Sequence, residues 1–163
     1  MRRAFLVRHG RAGSRTDFAG RDALRPLDAK GRRQALALSR ALAGHGALDR
    51  LLSSPARRCL ETLAPLGDLT GRPVEEAGWL AEGSDPLAAV EQLRAIEEAV
   101  VVCCSHGDVI WGILEWAARG GVRLGDHPDA AKASTWILDW PDEPAEGVPL
   151  RAGYLPPPAE LGG

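Results

Sequence analysis

The chain has 163 residues, of which 45% are hydrophobic and 26% are charged, and its formal net charge is −2. This length suits one domain, and the composition excludes a wholly disordered chain. The near-neutral charge excludes a bulk attraction to nucleic acid or to an anionic membrane surface, so any affinity for anions has to come from locally placed cations.

The chain opens with a short apolar run at residues 4–7, which predicts a buried strand that ends at Arg8-His9-Gly10. The next segment, 11–27, is polar and has no clear period. Residues 30–42 then show apolar side chains at helical spacing, and Asp28 stands where it would cap that helix.

The middle of the chain continues the alternation of strand and helix. Residues 48–52 predict a second strand, and Ser53-Ser54-Pro55 after it predicts the start of a helix that ends near Leu66. A short strand is expected at 74–76. A loop then leads to a helix at 86–98.

The clearest strand covers residues 99–104, which are apolar without alternation, as expected when both faces of a sheet are covered. Ser105-His106-Gly107-Asp108 turns from this strand into a helix at 109–119. Residues 134–140 predict one more strand, and 151–155 a last one.

Strands that alternate with helices predict an α/β fold, a three-layer sandwich with a mainly parallel central sheet and helices on both faces. We expect one domain at 1–155 and a flexible C-terminal tail at 156–163, where prolines and glycines accumulate. Ligands of such sheets sit at the carboxyl ends of the strands. His9 and His106 each follow directly on a predicted strand, so we expect both at that edge.

The chain offers little sign of a membrane or of an oxidising compartment. The run at 4–7 is too short for the core of a signal peptide, and no apolar stretch approaches the ~18 residues of a membrane span. Cys59, Cys103 and Cys104 are odd in number and lack C-x-x-C spacing, so they indicate neither a disulfide framework nor a zinc site. A cytoplasmic protein without membrane association is the simplest interpretation.

The segments that follow the strands would bring cations and imidazoles together. The three segments share a position after a strand, and they are Leu6 to Gly10, Ser53 to Thr62, and Cys104 to Gly107. Phosphoryl transfer needs such a pocket, because negative charge spreads over the oxygens of the transferred group and arginine matches them with two parallel hydrogen bonds. A neutral imidazole there can be the nucleophile.

These segments resemble the histidine phosphatase superfamily, also called the phosphoglycerate-mutase-like superfamily. Its R-H-G tripeptide matches Arg8-His9-Gly10, its S-S-P-x-x-R-x-x-x-T segment matches Ser53 to Thr62, and its strand-S-H-G context matches His106. The resemblance implies that His9 becomes phosphorylated. It also implies that Arg8, Arg58 and His106 hold the phosphoryl group, with Ser105 and Gly107 as further substrate-binding residues.

Within the superfamily the chain is most similar to the short SixA-type phosphohistidine phosphatases, because Arg25-Pro26-Leu27-Asp28 followed by Gly31 resembles their R-P-L-T-x-x-G stretch. It is also similar to the phosphatase half of certain Nudix–phosphatase fusion proteins, although no Nudix box is present. Many members protonate the leaving oxygen with a loop carboxylate. Glu82 is the candidate for this general acid, with Asp85 as the second.

The expected function is therefore a phosphatase that needs no cofactor and acts on a phosphohistidine protein or on small phosphate esters. A metal site built from His9, His106, Asp108 and His127 is disfavoured, because Arg8 and Arg58 would repel the cation. The alternatives are a mutase-type phosphotransferase, whose longer insertions are not evident, and a catalytically idle phosphoprotein-binding module. Lys132 and Ser134 are candidates for the rim of the pocket.

Overall fold

A sheet of six strands runs through the centre of the molecule. The structure is a computed structural model, and it describes residues 1–142, 147–149 and 151–160. The strands are β1 (Arg2–Arg8), β2 (Arg50–Ser53), β3 (Val74–Glu76), β4 (Val100–Ser105), β5 (Thr135–Trp140) and β6 (Arg151–Leu155). Their order across the sheet is β3-β2-β4-β1-β5-β6.

The first four strands pair in parallel, and the last two join the sheet through antiparallel pairs. β4 lies between β2 and β1 and pairs with both in parallel, and β2 also pairs in parallel with β3. β5 runs antiparallel to β1, and β6 runs antiparallel to β5. This topology confirms the predicted α/β fold with a mainly parallel sheet.

In the described part of the chain, four α-helices cover the two faces of the sheet, and they are α1 (Ala29–Ala43), α2 (Arg57–Thr70), α3 (Pro86–Ala95) and α4 (Gly107–Arg119). Successive side chains of β1 serve different faces, as the pleat of a strand requires. Phe5 and Val7 are buried in the core cluster of α1 and α2. Ala4 and Leu6 are buried in the cluster of α3 and α4.

The helix boundaries agree with the sequence where a cap defines them. The side chain of Asp28 accepts a hydrogen bond of 2.8 Å from the backbone N–H of Gly31, so the predicted cap of α1 is confirmed. The predicted end of the next helix near Leu66 is wrong. α2 continues past its internal Pro65 and ends where Gly71 adopts a left-handed φ of 70°.

The predicted extent of the third helix is also wrong. α3 ends at Ala95 rather than at residue 98, because Ile96 has extended backbone angles. None of the described helices is long and apolar enough to cross a membrane. In the predicted tail, Glu160 accepts a hydrogen bond from Arg33, and residues 161–163 lie outside the described residues.

Candidate active site

The carboxyl ends of β1 and β4 meet at one edge of the sheet. The parallel register pairs Arg8 with Ser105, so the residues that follow them, His9 and His106, are neighbours. The backbone N–H of His9 donates to the carbonyl oxygen of Ser105 at 3.2 Å. The centroids of the two imidazole rings are 5.3 Å apart. The fold thus brings together the two histidines that the sequence predicts for the site.

The ring of His9 is held in one tautomer by its own backbone. Its Nδ1 lies 2.8 Å from the carbonyl oxygen of Gly10, and because a carbonyl only accepts, Nδ1 must bear the hydrogen. Nε2 therefore has a free lone pair. Burial, together with the charges of Arg58 and Arg8, lowers the pKa of His9 to about 3, against the opposing effect of the Gly10 hydrogen bond.

Arg58 stands at the start of α2 with only 1% of its surface exposed. Its Nη1 donates to the backbone oxygen of Asp22 at 2.9 Å, and its Nη2 lies 3.2 Å from a carboxylate oxygen of Asp22 and 3.2 Å from one of Glu82. Thr62, one turn further along α2, donates to the carbonyl oxygen of Arg58 and accepts from the N–H of Gly10. Thr62 therefore ties the arginine to the loop of the first histidine.

His106 forms the boundary between β4 and α4, and both of its ring nitrogens have partners. Nη2 of Arg58 lies 3.4 Å from Nδ1, and since arginine only donates, Nδ1 accepts. Nε2 then bears the hydrogen and donates to Oγ of Ser54 at 2.8 Å. The unprotonated Nδ1 is the nitrogen that faces the arginine.

Arg8 lies against the first residue of α4. A Cβ on Gly107 would approach Cζ of Arg8 to 3.2 Å, which is tighter than ordinary contact. A glycine at this position therefore leaves room for the guanidinium. Nη1 of Arg8 donates to the carbonyl oxygen of Ala130 at 2.7 Å. The Nε atoms of Arg8 and Arg58 are buried and have no acceptor among the described residues. Two buried donors without acceptors suit an oxyanion.

The two candidate acids differ in what their carboxylates do. Glu82 accepts from Arg58 and also from Nη2 of Arg15, at 2.8 and 3.1 Å, so it lies at the site. Asp85 instead accepts from the N–H of Leu87 and caps α3. Ser105 is buried, and its hydroxyl donates to the carbonyl oxygen of Leu80. Its contact with the site is made through its backbone oxygen.

These groups surround a cavity of about 200 Å³. Its lining combines cations, two imidazoles and two carboxylates, and it consists of Arg8, His9, Arg15, Arg25, Arg58, Glu82, His106, Gly107, Asp108 and Lys132. A second cavity of about 330 Å³ shares Arg58, Glu82 and His106 with the first and has apolar walls that include Pro55 and Ala81. The site thus has a cationic part and an adjoining, less polar part.

No role was predicted from the sequence for several residues that line these two cavities. Asp22 joins Arg15, Arg25 and Arg58 through its carboxylate, and Arg25 also donates to the carbonyl oxygens of Ala12 and Gly13. The signal for Arg25 is its place in the R-P-L stretch. Asp22 lies in the segment 11–27, whose charges show no period that a pattern search could detect.

Two further groups complete the lining. Asp108, in the first turn of α4, accepts from the N–H of Gly83 at 2.8 Å and so fixes the loop that bears Glu82. Lys132, predicted for the rim, does line the cavity, whereas Ser134 is buried and uses its backbone oxygen to accept from the N–H of Arg8. Among the described residues, no three His, Cys, Asp or Glu side chains are grouped to hold a metal ion.

Comparison with known proteins agrees with this geometry. The family model described as the histidine phosphatase superfamily (branch 1) matches residues 4–84. An 8-oxo-(d)GTP phosphatase of Mycolicibacterium smegmatis is 35% identical over 160 residues, a match that covers 95% of this chain and 48% of that protein. The chain therefore spans about half the length of this curated relative.

Solved structures share the fold at lower sequence identity. The protein histidine phosphatase SixA complexed with tungstate superposes with a TM-score of 0.73 at 22% identity, over 94% of each chain. A mycobacterial glucosyl-3-phosphoglycerate phosphatase in complex with VO3 gives a TM-score of 0.67 at 21% identity, over 94% of this chain and 97% of that one. Both similarities extend over almost the whole chain.

Proposed function

Because the chain belongs to the histidine phosphatase superfamily, we propose that it is a phosphatase that hydrolyses phosphate monoesters or phosphoramidates through a phosphorylated His9. One observation above all supports this proposal. The hydrogen bond from Nδ1 of His9 to Gly10 leaves the lone pair of Nε2 free, beside the cations Arg8 and Arg58. The neutral imidazole can act as a nucleophile, and the cations of the cavity attract the negatively charged phosphoryl group toward it.

In the first step, Nε2 of His9 forms a bond to phosphorus while the bond from phosphorus to the leaving oxygen or nitrogen breaks. The leaving group departs with the electron pair and takes up a proton. The positive charge that develops on the imidazole is offset by the transferred phosphoryl group and by the Gly10 carbonyl that accepts from Nδ1. In the second step, water attacks phosphorus, the bond to Nε2 breaks, and inorganic phosphate leaves.

Arg8, Arg58 and His106 would hold the phosphoryl oxygens throughout. The unpartnered Nε–H groups of the two arginines are available donors in a buried site. His106 lies beside them, with its Nδ1 3.4 Å from Nη2 of Arg58. The backbone at the start of α4, where Gly107 lines the cavity, adds the positive end of a helix.

Glu82 is the proposed general acid, because its carboxylate lies at the cavity within reach of Arg58. In the free protein this carboxylate occupies a donor of Arg58 that a phosphoryl oxygen would also use. Substrate binding would therefore release Glu82 toward the leaving group. Asp85 is not proposed for this role, since it caps α3.

The substrate is proposed as a phosphohistidine protein or a small phosphorylated molecule. The likeness to SixA supports the first through the shared fold, and the likeness to an 8-oxo-(d)GTP phosphatase makes nucleotides the small molecules to test first. The apolar walls of the adjoining cavity, beside Pro55 and Ala81, offer a place for the organic part of such a molecule.

The test is hydrolysis of p-nitrophenyl phosphate in excess EDTA by the wild type, His9→Ala and His127→Ala. His127 is an exposed histidine outside the site and serves as the matched control. Wild-type turnover that survives EDTA, persists in His127→Ala and falls by several orders of magnitude in His9→Ala is the expected result. A His9→Ala variant of full activity, or an activity abolished by EDTA, would overturn the mechanism.

If the wild type releases no phosphate, the same proteins are tested on a phosphohistidine protein. Tight binding of that protein without turnover would replace the phosphatase with a binding module. Transfer of the phosphoryl group between two hydroxyls of 3-phosphoglycerate, without release of phosphate, would replace it with a mutase.

A further inference from the structure

One cation of the active-site cavity has no counter-charge. Lys132, one of two lysines in the chain, lines the same cavity as His9 and is half-buried. No residue that the structure describes makes a hydrogen bond or an ion pair with its ammonium group. Arg15, Arg25 and Arg58 differ in this respect, since all three pair with the carboxylate of Asp22, and Arg8 donates to the carbonyl oxygen of Ala130.

The surroundings of Lys132 are positive. Burial lowers the pKa of its ammonium group, and repulsion by Arg8, Arg25 and Arg11 lowers it further, with Asp28 as the opposing charge. Arg11 is itself paired with Asp28 at 2.8 Å. A half-buried cation among cations is stabilised when an anion joins it, so this arrangement is suited to a negatively charged ligand.

The backbone beside Lys132 is fixed against the nucleophile. Ala133 has a φ of 66° and is fully buried, although alanine rarely adopts this left-handed conformation. Its N–H donates to the carbonyl oxygens of both Arg8 and His9, at 3.0 and 3.2 Å. Strained residues of this kind persist where the surrounding structure holds them, often at functional sites. Here the strain places Lys132 directly beside the R-H-G segment.

We propose that Lys132 forms a second anion subsite, which binds the phosphate next to the phosphoryl group that His9 accepts. This inference rests on the proposed function, because it gives a role to the part of the cavity that the phosphoryl group transferred to His9 does not occupy. Arg58, His106 and Glu82 form one side of the cavity, toward α2. Lys132 lines the cavity next to Ala133, whose N–H donates to the carbonyl oxygens of Arg8 and His9 at the end of β1.

The substrate class that fits two adjacent anion subsites is a compound with a phosphoanhydride bond, such as a nucleoside diphosphate or triphosphate. Nε2 of His9 would bond to the terminal phosphorus, and the bond from that phosphorus to the bridging oxygen would break. The shortened phosphate leaves with the electron pair, and Lys132 offsets the charge that appears on it. Water then releases orthophosphate from His9. Such a leaving group needs little protonation, which suits a Glu82 held by two arginines.

The experiment measures the dissociation constants of inorganic phosphate, pyrophosphate and GDP by calorimetry, on the full chain. The proteins are the wild type, Lys132→Ala, and Lys30→Ala as the matched control at the exposed second lysine, each measured on a His9→Ala background so that the ligands are bound and not hydrolysed. We expect the wild type and Lys30→Ala to bind pyrophosphate about 10- to 100-fold more tightly than phosphate, and Lys132→Ala to lose most of this preference while its affinity for phosphate stays within a few-fold. A thermal unfolding curve confirms that Lys132→Ala is folded.

Two results would overturn the inference. If the wild type binds pyrophosphate no more tightly than phosphate, there is no second subsite. If Lys132→Ala loses affinity for phosphate and pyrophosphate equally, the lysine binds the phosphoryl group that His9 accepts. GDP that binds more tightly than pyrophosphate identifies a nucleotide as the source of the phosphates, and equal binding identifies a simple polyphosphate. Because binding is read without turnover, the subsite can hold even if the His9 test of the proposed function fails.

Discussion

Nδ1 of His9 lies 2.8 Å from the carbonyl oxygen of Gly10, the next residue in the chain. The tautomer of the proposed nucleophile is therefore set by a local backbone contact, and no second side chain is needed to orient the ring. Burial and the nearby cations act in the same direction, because both disfavour a proton on Nε2.

His9 should make the free energy of unfolding depend on pH. Its pKa is about 3 in the folded protein and near 6.5 when unfolded, so between these values the unfolded chain binds the extra proton and stability rises with pH. The contribution is present above pH 6.5 and is lost as the pH falls toward 3. When the pH falls from 6.5 to 5, the free energy of unfolding of the wild type, measured in urea, should decrease by about 1–2 kcal/mol more than that of His9→Asn.

The comparison isolates His9, because carboxylates such as Asp22 and Asp139 are common to both proteins. Parallel curves of unfolding free energy against pH for the wild type and His9→Asn would mean that His9 takes up its proton near its ordinary pKa. The claim that His9 is a buried, neutral nucleophile would then be wrong.

Arg58→Ala should lower kcat/KM for p-nitrophenyl phosphate by at least about 100-fold, since a preorganised donor to the phosphoryl group is lost. Its neighbour Arg57 gives a matched control, because the side chain of Arg57 is 56% exposed and pairs with Glu61 on the same helix. We expect Arg57→Ala to stay within a few-fold of the wild type. Similar losses in both variants would point to damage to α2 rather than to a lost phosphate contact.

Glu82→Gln should distinguish substrates by their leaving groups. If Glu82 donates the proton, the variant loses about 100-fold or more in kcat on an alkyl phosphate, whose alkoxide leaves poorly, and much less on a phosphoramidate. Asp85→Asn is the control, because asparagine caps a helix as well as aspartate does. An equal loss of Glu82→Gln on both substrates would assign Glu82 to the positioning of Arg58 instead.

Gly107→Ala should reduce activity without unfolding the protein. The new Cβ would lie 3.2 Å from Cζ of Arg8, and the guanidinium can yield only by leaving its position, whereas alanine itself suits a helix. We expect kcat/KM to fall by about tenfold at an unchanged or higher melting temperature. Gly78→Ala, where nothing lies within 4 Å of the added Cβ, should leave kcat/KM as it is. Unchanged kinetics in Gly107→Ala would show that Arg8 has room to adjust.

The sequence was informative where a single local rule decides the structure. The apolar run before Arg8 predicted β1, Asp28 predicted the start of α1, and the motif residues His9, Arg58 and His106 predicted one cluster, which the structure places together. Each of these rests on spacing or on a cap, and both can be read along the chain.

What the sequence could not supply depends on contacts between distant residues. Arg15 and Glu82 are 67 positions apart, and nothing in the segment 11–27 indicates that its charges meet a loop after β3. Likewise, the antiparallel direction of β5 follows from how the chain returns to β1, and the apolar pattern of that strand is the same in either direction.

The ladder between β1 and β4 has a consequence for how this scaffold can diversify. Six consecutive residue pairs, from Arg3 with Val100 to Arg8 with Ser105, fix the distance between the two histidines. The loops that face the substrate lie outside this ladder. Insertions, deletions and new side chains at 11–28 or 77–85 can therefore change which molecule is recognised while the reactive pair keeps its geometry. Evolution of new specificities and stability of the chemical centre are in this way largely uncoupled.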